Sequence, residues 1–352
     1  MDQFPRFKVA AVQAAPIWQD REGSTEKACS LIAEAGRNGA QLVAFPEVWL
    51  PGYPSWAFLG TPLWGNEFFA ELYANSVEIP SPTTARLCEA ARQTAAYVVM
   101  GLNEKAGSTL YITQLLIDPE GNILGRHRKL KPTHAERTVY GQGDGSDLRV
   151  FDTALGRLGV LNCWEHLQPL IRYAMFSMDE QVHVASWPSF SLYRKQSYAL
   201  SAEACMGASR QYALEGGCFV LAPVAITSKE IVDRLADTPE RAELIEVGGG
   251  GSQIFAPDGS TVAGPGPWED ETILYAEIDL YDIARAKNFA DPAGHYGRPD
   301  VLSLLWNRTP QVCVRDSLLE QNMAAQTQAE FDAGDSAEKM SADSKEGPSQ
   351  GL

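Results

Sequence analysis

The sequence predicts an α/β fold. Apolar β-type runs alternate with helical patterns for most of its length. Two hairpin signals, "LLIDPEGNIL" and "QIFAPDGSTV", also share one order: apolar strand, Pro, acid, Gly, second strand. Each comes late in its half, after helices and strands, so the chain reads as two similar halves of one domain. Pro-x-Gly hairpins are common, and two of them do not prove symmetry.

In chain order, "FKVAAVQAA" reads as a strand and "STEKACSLIAEAGRNG" as a helix, with Ser24 as its cap and Gly39 as its stop. "AQLVAFPE" is a strand, "PTTARLCEAARQTA" a helix and "YVVMGLNEK" a strand. "LYITQLLIDPEGNILGRHRKL" gives two strands turning at Pro119-Glu120-Gly121. "RLGVLNCWE" and "QVHVASWPS" are strands flanking a helix from about Pro169 to Met178. "SAEACMGASRQYALEGG" is a helix leading into the strand "CFVLAPVA". "VGGGGSQ" reads as a flexible entry to the second hairpin at Asp258-Gly259, and "TILYAEIDL" is the last clear strand. From about Gln311 the composition turns to Ala, Ser, Gln and acids. We therefore expect a domain over 1–310 and an acidic, disordered tail over 311–352.

At 352 residues and 45% hydrophobic content the chain can bury a sizeable core. A formal charge of −16 argues against nucleic acid and anionic membranes as partners, since both need a basic face. The amino-terminal run reads as a strand and not a signal peptide. No stretch approaches the roughly 18 apolar residues of a membrane span. The six cysteines form no C-x-x-C pair, so a reducing cytoplasm is the expected setting.

Three strand ends carry the chemistry. "LVAFPE" delivers Glu47, "GRHRKL" delivers Lys129 and "GVLNC" delivers Cys163. An acid, an amine and a thiol suit covalent hydrolysis. The thiol needs a base, a buried carboxylate can serve as one, and a lysine stabilises developing negative charge. Each has a plainer alternative: Cys163 as a core filler, Glu47 as a turn cap, Lys129 as one solvated charge in a basic run.

"FPEVWLPGYP", "HRKLKPTHAERTVYGQGDGSDL" and "GVLNCWEHLQPL" together resemble the three signature segments of the nitrilase superfamily, in order, over roughly residues 6 to 310. The resemblance implies a four-layer α-β-β-α sandwich, with Glu47 as general base, Lys129 as catalytic lysine and Cys163 as nucleophile. "KLKPTHAERTVYGQGDG", "CWEHLQPL" and "HVASWPSFSLY" resemble the nitrilase branch, which attacks C≡N. That implies Glu136 as a second carboxylate near the site and the Trp164 backbone N–H as a donor to developing charge. It also implies a homo-oligomer, dimers extending into spirals. The partners expected are a small nitrile and water.

Tyr53, Trp56, Trp187, Phe190 and Tyr193 lie beside the signature segments, which favours arylacetonitriles or other arylaliphatic nitriles as substrates. Trp187, before Pro188 at a strand end, is the best wall candidate, and His134 and His166 are expected to line the pocket with Tyr53. His183, inside an apolar strand, is expected in the core. A cyanide-hydrating, aliphatic or amide-hydrolysing relative is the alternative enzyme; a catalytically silent assembly protein is the alternative of another class. "GQGDG" does not open a helix after a strand, so it is no dinucleotide loop. The five histidines show no ligand spacing, so neither metal nor cofactor is expected.

Overall fold

The computed structural model describes residues 4–312. Its strands are β1 Arg6–Gln13, β2 Ala40–Ala44, β3 Tyr97–Ala106, β4 Thr109–Ile117, β5 Ile123–Arg128, β6 Val150–Thr153, β7 Gly156–Asn162, β8 Val182–Ser186, β9 Phe219–Ala222, β10 Gln253–Phe255, β11 Thr261–Ala263 and β12 Thr272–Asp279. The helices are α1 Arg21–Arg37, α2 Asn66–Asn75, α3 Pro82–Thr94, α4 Pro169–Phe176, α5 Ala202–Gly216, α6 Lys229–Leu235, α7 Pro239–Ala242 and α8 Tyr281–Ala286.

Two sheets form, ordered β12-β1-β2-β3-β4-β5 and β11-β10-β9-β8-β7-β6. β1, β2 and β3 are parallel, then β4 and β5 turn back in a hairpin. β7, β8 and β9 are parallel, then β10 and β11 do the same. β12 lies antiparallel on β1 as β6 lies on β7. The two echoing hairpins thus occupy equivalent places, and the chain is two topologically matching halves.

Strand alternation builds the layers. Val9 and Ala11 of β1 join Val160, Val184 and Leu221 in a core between the sheets. Ala10 and Val12 face the other way, onto Ile32 of α1 and Leu87 of α3. Leu161 and Ala185 face Met175 of α4 and Ala213 of α5. This is the expected α-β-β-α sandwich.

Local details differ from expectation. α1 starts three residues earlier than read, because the Asp20 side chain, not Ser24, accepts the Gly23 N–H at 3.0 Å. Ser24 is inside the helix and donates to the Ile17 carbonyl at 2.8 Å. "GGGG" is not a flexible entry: Gly248–Gly251 are buried and three of them have positive φ. A Cβ on Gly249 would stand 2.1 Å from Ser189 Oγ, so only glycine fits that approach. β6, α2, α6, α7 and α8 were not read from the sequence. The expected tail lies, apart from residues 311 and 312, outside the described residues.

Candidate active site

The three strand ends converge on one edge. β5 is antiparallel to β4, itself antiparallel to β3, so β5 runs in the direction of β2 and its end carries Lys129 to the edge that carries Glu47. The sheets are tied there: Ser186 Oγ donates to the Phe45 carbonyl at 2.8 Å, and the Glu47 N–H to the Trp187 carbonyl at 3.3 Å. Alternation splits the basic run. Arg126 and Arg128 pair with Glu104, while His127 and Lys129 turn inward and are 1% exposed.

Lys129 Nζ donates to Glu47 Oε1 and to Glu136 Oε2, each at 2.8 Å. Glu136 also accepts the Tyr53 hydroxyl and the Thr133 N–H, each at 2.6 Å. The cluster is two carboxylates on one ammonium, all buried. Burial raises the Glu47 carboxyl, Lys129 draws it back and Glu136 raises it again, leaving it near 8. Burial pulls the ammonium down, but Glu136 and Glu47 outweigh it and hold Lys129 charged, well above its usual range. Glu47 Oε2 is buried and accepts no hydrogen bond among the described residues. It is the lone-pair site available for a proton.

Cys163 opens a 3-10 turn, Cys163–Leu167, with φ of +46°. A non-glycine residue in that region is a strained elbow, held by its surroundings. Burial and the Glu47 charge push its thiol well up, with Lys129 opposing, so the resting sulfur is a neutral thiol. Behind it Glu165 accepts the Asn162 N–H at 2.8 Å, the Leu130 N–H at 2.9 Å and His127 Nε2 at 2.8 Å. This one carboxylate ties the cysteine turn to the lysine strand. Sequence reasoning missed Glu165 and His127; the alternation of β5, which turns His127 inward with Lys129, was the available signal. "GQGDG" braces the same strand end: the Gly143 N–H donates to the Lys129 carbonyl at 2.9 Å, and a Cβ there would meet the Arg128 carbonyl at 2.2 Å.

A cavity of about 480 Å³, counting its open mouth, reaches Cys163. Tyr53, His134, Glu136, Trp164 and Trp187 line it, and Glu47 and Lys129 do not. Phe58, Phe190 and Tyr193 complete aromatic walls. Phe58, not noticed in the sequence, stacks on Tyr53 with ring centres 5.9 Å apart. Trp56 is not a wall; it packs on Phe68 and Phe69 away from the cavity. His166 does not line the cavity either. The 3-10 turn sends its ring inward, where Nδ1 meets the Cys163 carbonyl at 2.6 Å and Nε2 meets His183 Nε2 at 2.9 Å. His183 is a hydrogen-bonded core residue. Among the described residues no group of His, Cys, Asp and Glu is placed to hold a metal, and five cysteines are free thiols.

Residues 8–288 match the carbon-nitrogen hydrolase family model. The chain is 52% identical over 303 residues to an aliphatic nitrilase of Rhodococcus rhodochrous, covering 86% of this chain and 83% of that one. It is 42% identical to an arylacetone-specific nitrilase of Alcaligenes faecalis over 96% of each chain. A solved carbon-nitrogen hydrolase from Helicobacter pylori G27 superposes with a TM-score of 0.67 at 20% identity, covering 84% of this chain and 96% of that one, a likeness of fold. A sandwich of two matching halves, with an acid, an amine and a thiol gathered at one edge, and these matches together place the chain in the carbon-nitrogen hydrolase family.

Proposed function

We propose that the chain is a nitrilase that hydrolyses organic nitriles to a carboxylic acid and ammonia. The observation that carries the mechanism is the buried Glu47–Lys129–Glu136 cluster beside the thiol at the foot of an aromatic cavity. Glu47 takes the Cys163 proton on Oε2, and the sulfur attacks the nitrile carbon. The nitrogen takes up the proton, giving a thioimidate. Water deprotonated by Glu47 adds to it, and the resulting tetrahedral nitrogen leaves as ammonia. A thioester remains; a second water releases the acid and returns the thiol. Lys129, held by Glu136, and the Trp164 N–H balance the charge that develops.

A thiol that is neutral at rest and a base near 8 suit a proton transfer coupled to attack. The aromatic walls support arylacetonitriles, whose ring lies against them while the linear nitrile reaches Cys163. A second reading, short aliphatic nitriles, is favoured by the name of the 52% identical relative. Comparing kcat/KM for phenylacetonitrile, benzonitrile, a short aliphatic nitrile and HCN tests the choice. A lead of more than about tenfold, ~1.4 kcal/mol, for HCN or the aliphatic nitrile removes the aryl reading. Ammonia from none of them removes the nitrilase reading. The proposal includes a homo-oligomer, as the family resemblance implies, working in the reducing cytoplasm that the scattered cysteines lead us to expect; a monomer by light scattering at assay concentration removes the first part.

A further inference from the structure

Behind the cysteine turn lies a buried chain of hydrogen bonds that the mechanism above does not use. Tyr212 of α5 donates its hydroxyl to Glu180 Oε2 at 2.6 Å. Glu180 Oε1 meets His183 Nδ1 at 2.7 Å, and His183 Nε2 meets His166 Nε2 at 2.9 Å. His166 Nδ1 meets the Cys163 carbonyl at 2.6 Å. None of the four side chains is more than 2% exposed. Gly159 of β7 makes room for it, since a Cβ there would stand 1.7 Å from Glu180 Oε1.

The far end dictates where the protons sit. A carbonyl only accepts, so His166 Nδ1 carries hydrogen. In a neutral imidazole Nε2 then accepts, so His183 Nε2 carries hydrogen, its Nδ1 accepts, and Glu180 must donate. Two other placements keep every bond, with the extra proton on either histidine, but each buries a separated charge and costs more. The cysteine carbonyl and the Trp164 N–H belong to one planar peptide and point oppositely, so fixing the first aims the second. We propose that Glu180, as a protonated acid acting through His183 and His166, is a positioning residue that fixes the Cys163–Trp164 peptide plane and so aims the Trp164 N–H at the reacting nitrogen. This rests on the reading of Cys163 as nucleophile.

Loss of the Glu180 proton breaks the array. A Glu180 carboxylate takes the His183 hydrogen onto Nδ1, His166 must turn its hydrogen to Nε2, and two lone pairs then face each other at the Cys163 carbonyl. The charged and titratable groups around the array are Tyr212 of α5, Cys218 before β9, Arg172 of α4, and the His127–Glu165 pair. Burial raises Glu180 to about 8, with the Tyr212 hydroxyl opposing, and burial lowers both His166 and His183.

Two measurements test this. In the full-length protein labelled with ¹⁵N-histidine, magic-angle-spinning NMR at pH 7 is expected to show His166 protonated on Nδ1 alone and His183 on Nε2 alone. His166 protonated on Nε2 overturns the proposal, whatever substrate the enzyme takes. In kinetics, Glu180→Leu is expected to lower kcat about tenfold to hundredfold with KM little changed, since a misaimed donor costs transition-state stabilisation. Glu180→Gln, whose amide donates to His183 and accepts from Tyr212, is expected to restore kcat to within about threefold. Wild-type kcat is expected to fall above about pH 8 as Glu180 loses its proton, and Glu180→Gln is expected to lack that fall. A Glu180→Leu enzyme with wild-type kcat, or a Glu180→Gln enzyme as slow as Glu180→Leu, overturns it. A wild type with no nitrile turnover but the expected tautomers counts against the proposed reaction alone.

Discussion

Lys129→Met separates the electrostatic role of the lysine from its bulk. Met fills the same channel but leaves Glu47 and Glu136 facing each other without the ammonium that accounts for a 2.8 Å bond to each. Removing one partner of a buried ion pair costs about 3–5 kcal/mol, because the remaining charge is uncompensated. The cluster relieves this by taking up a proton. Lys129 is what draws the Glu47 carboxyl down to about 8, where it still ionises in the working range; without it the carboxyl rises further and stays protonated across that range. The base is then lost along with the stability. The sign of the pH dependence follows. A carboxyl raised in the fold holds its proton while the unfolded chain has released it, so stability falls as pH rises from the unfolded value through the folded one. The slope approaches about 1.4 kcal/mol per pH unit for one such group. Urea unfolding of Lys129→Met from pH 5 to 9, alongside ammonia release, is expected to show an inactive protein that regains stability towards pH 5. A variant within about 1 kcal/mol of wild type throughout, with activity kept, refutes the electrostatic account.

Other consequences are separable. Glu47→Gln keeps one cation and one carboxylate, so it is expected to fold near wild-type stability while kcat falls roughly 10²–10⁴-fold; activity within tenfold of wild type points to another base. The kcat/KM profile of the wild type is expected to rise towards pH 8 as Glu47 ionises, and a flat profile from pH 6 to 9 contradicts that assignment. Gly101→Ala would put a Cβ 1.9 Å from the Pro46 carbonyl and push on the Glu47 loop. We expect a loss of about 1–3 kcal/mol in unfolding experiments together with lower kcat. Phe58→Ala is expected to lower kcat/KM for phenylacetonitrile about threefold to tenfold, by loss of ~0.5–1.5 kcal/mol of ring contact. A short aliphatic nitrile, turned over in parallel, is expected to change little.

Much of this was legible because strand alternation and strand ends are local properties. β5 reads as basic, yet its period of two alone separates the Glu104-paired arginines from the inward His127 and Lys129. The matching hairpins revealed the two halves because turn chemistry needs only a few adjacent residues. What was not legible depends on direction or on partners far along the chain. His166 is three residues from Cys163, and proximity in sequence suggested the cavity, but the 3-10 turn points its ring into the core. Trp56 and Phe58 are two residues apart in one short turn, and only packing by Phe68 of α2 decides which is core and which is wall. α2 itself has one buried residue, Leu72, so it carries little apolar period to read. "GGGG" looked flexible because composition does not show that Gln13 Oε1 accepts the N–H groups of Gly251 and Ser252, at 2.8 and 2.9 Å.

The central claim is a covalent bond from Cys163 to the nitrile carbon, and intact-protein mass spectrometry during turnover tests it most directly. Enzyme quenched while hydrolysing phenylacetonitrile is expected to carry one substrate-derived adduct, mapped to Cys163 by peptide analysis. The adduct is expected to appear and discharge no more slowly than ammonia is released, and to be absent in Cys163→Ala, which should fold and be inactive. Ammonia release with Cys163 unmodified throughout, or undiminished in Cys163→Ala, contradicts the account.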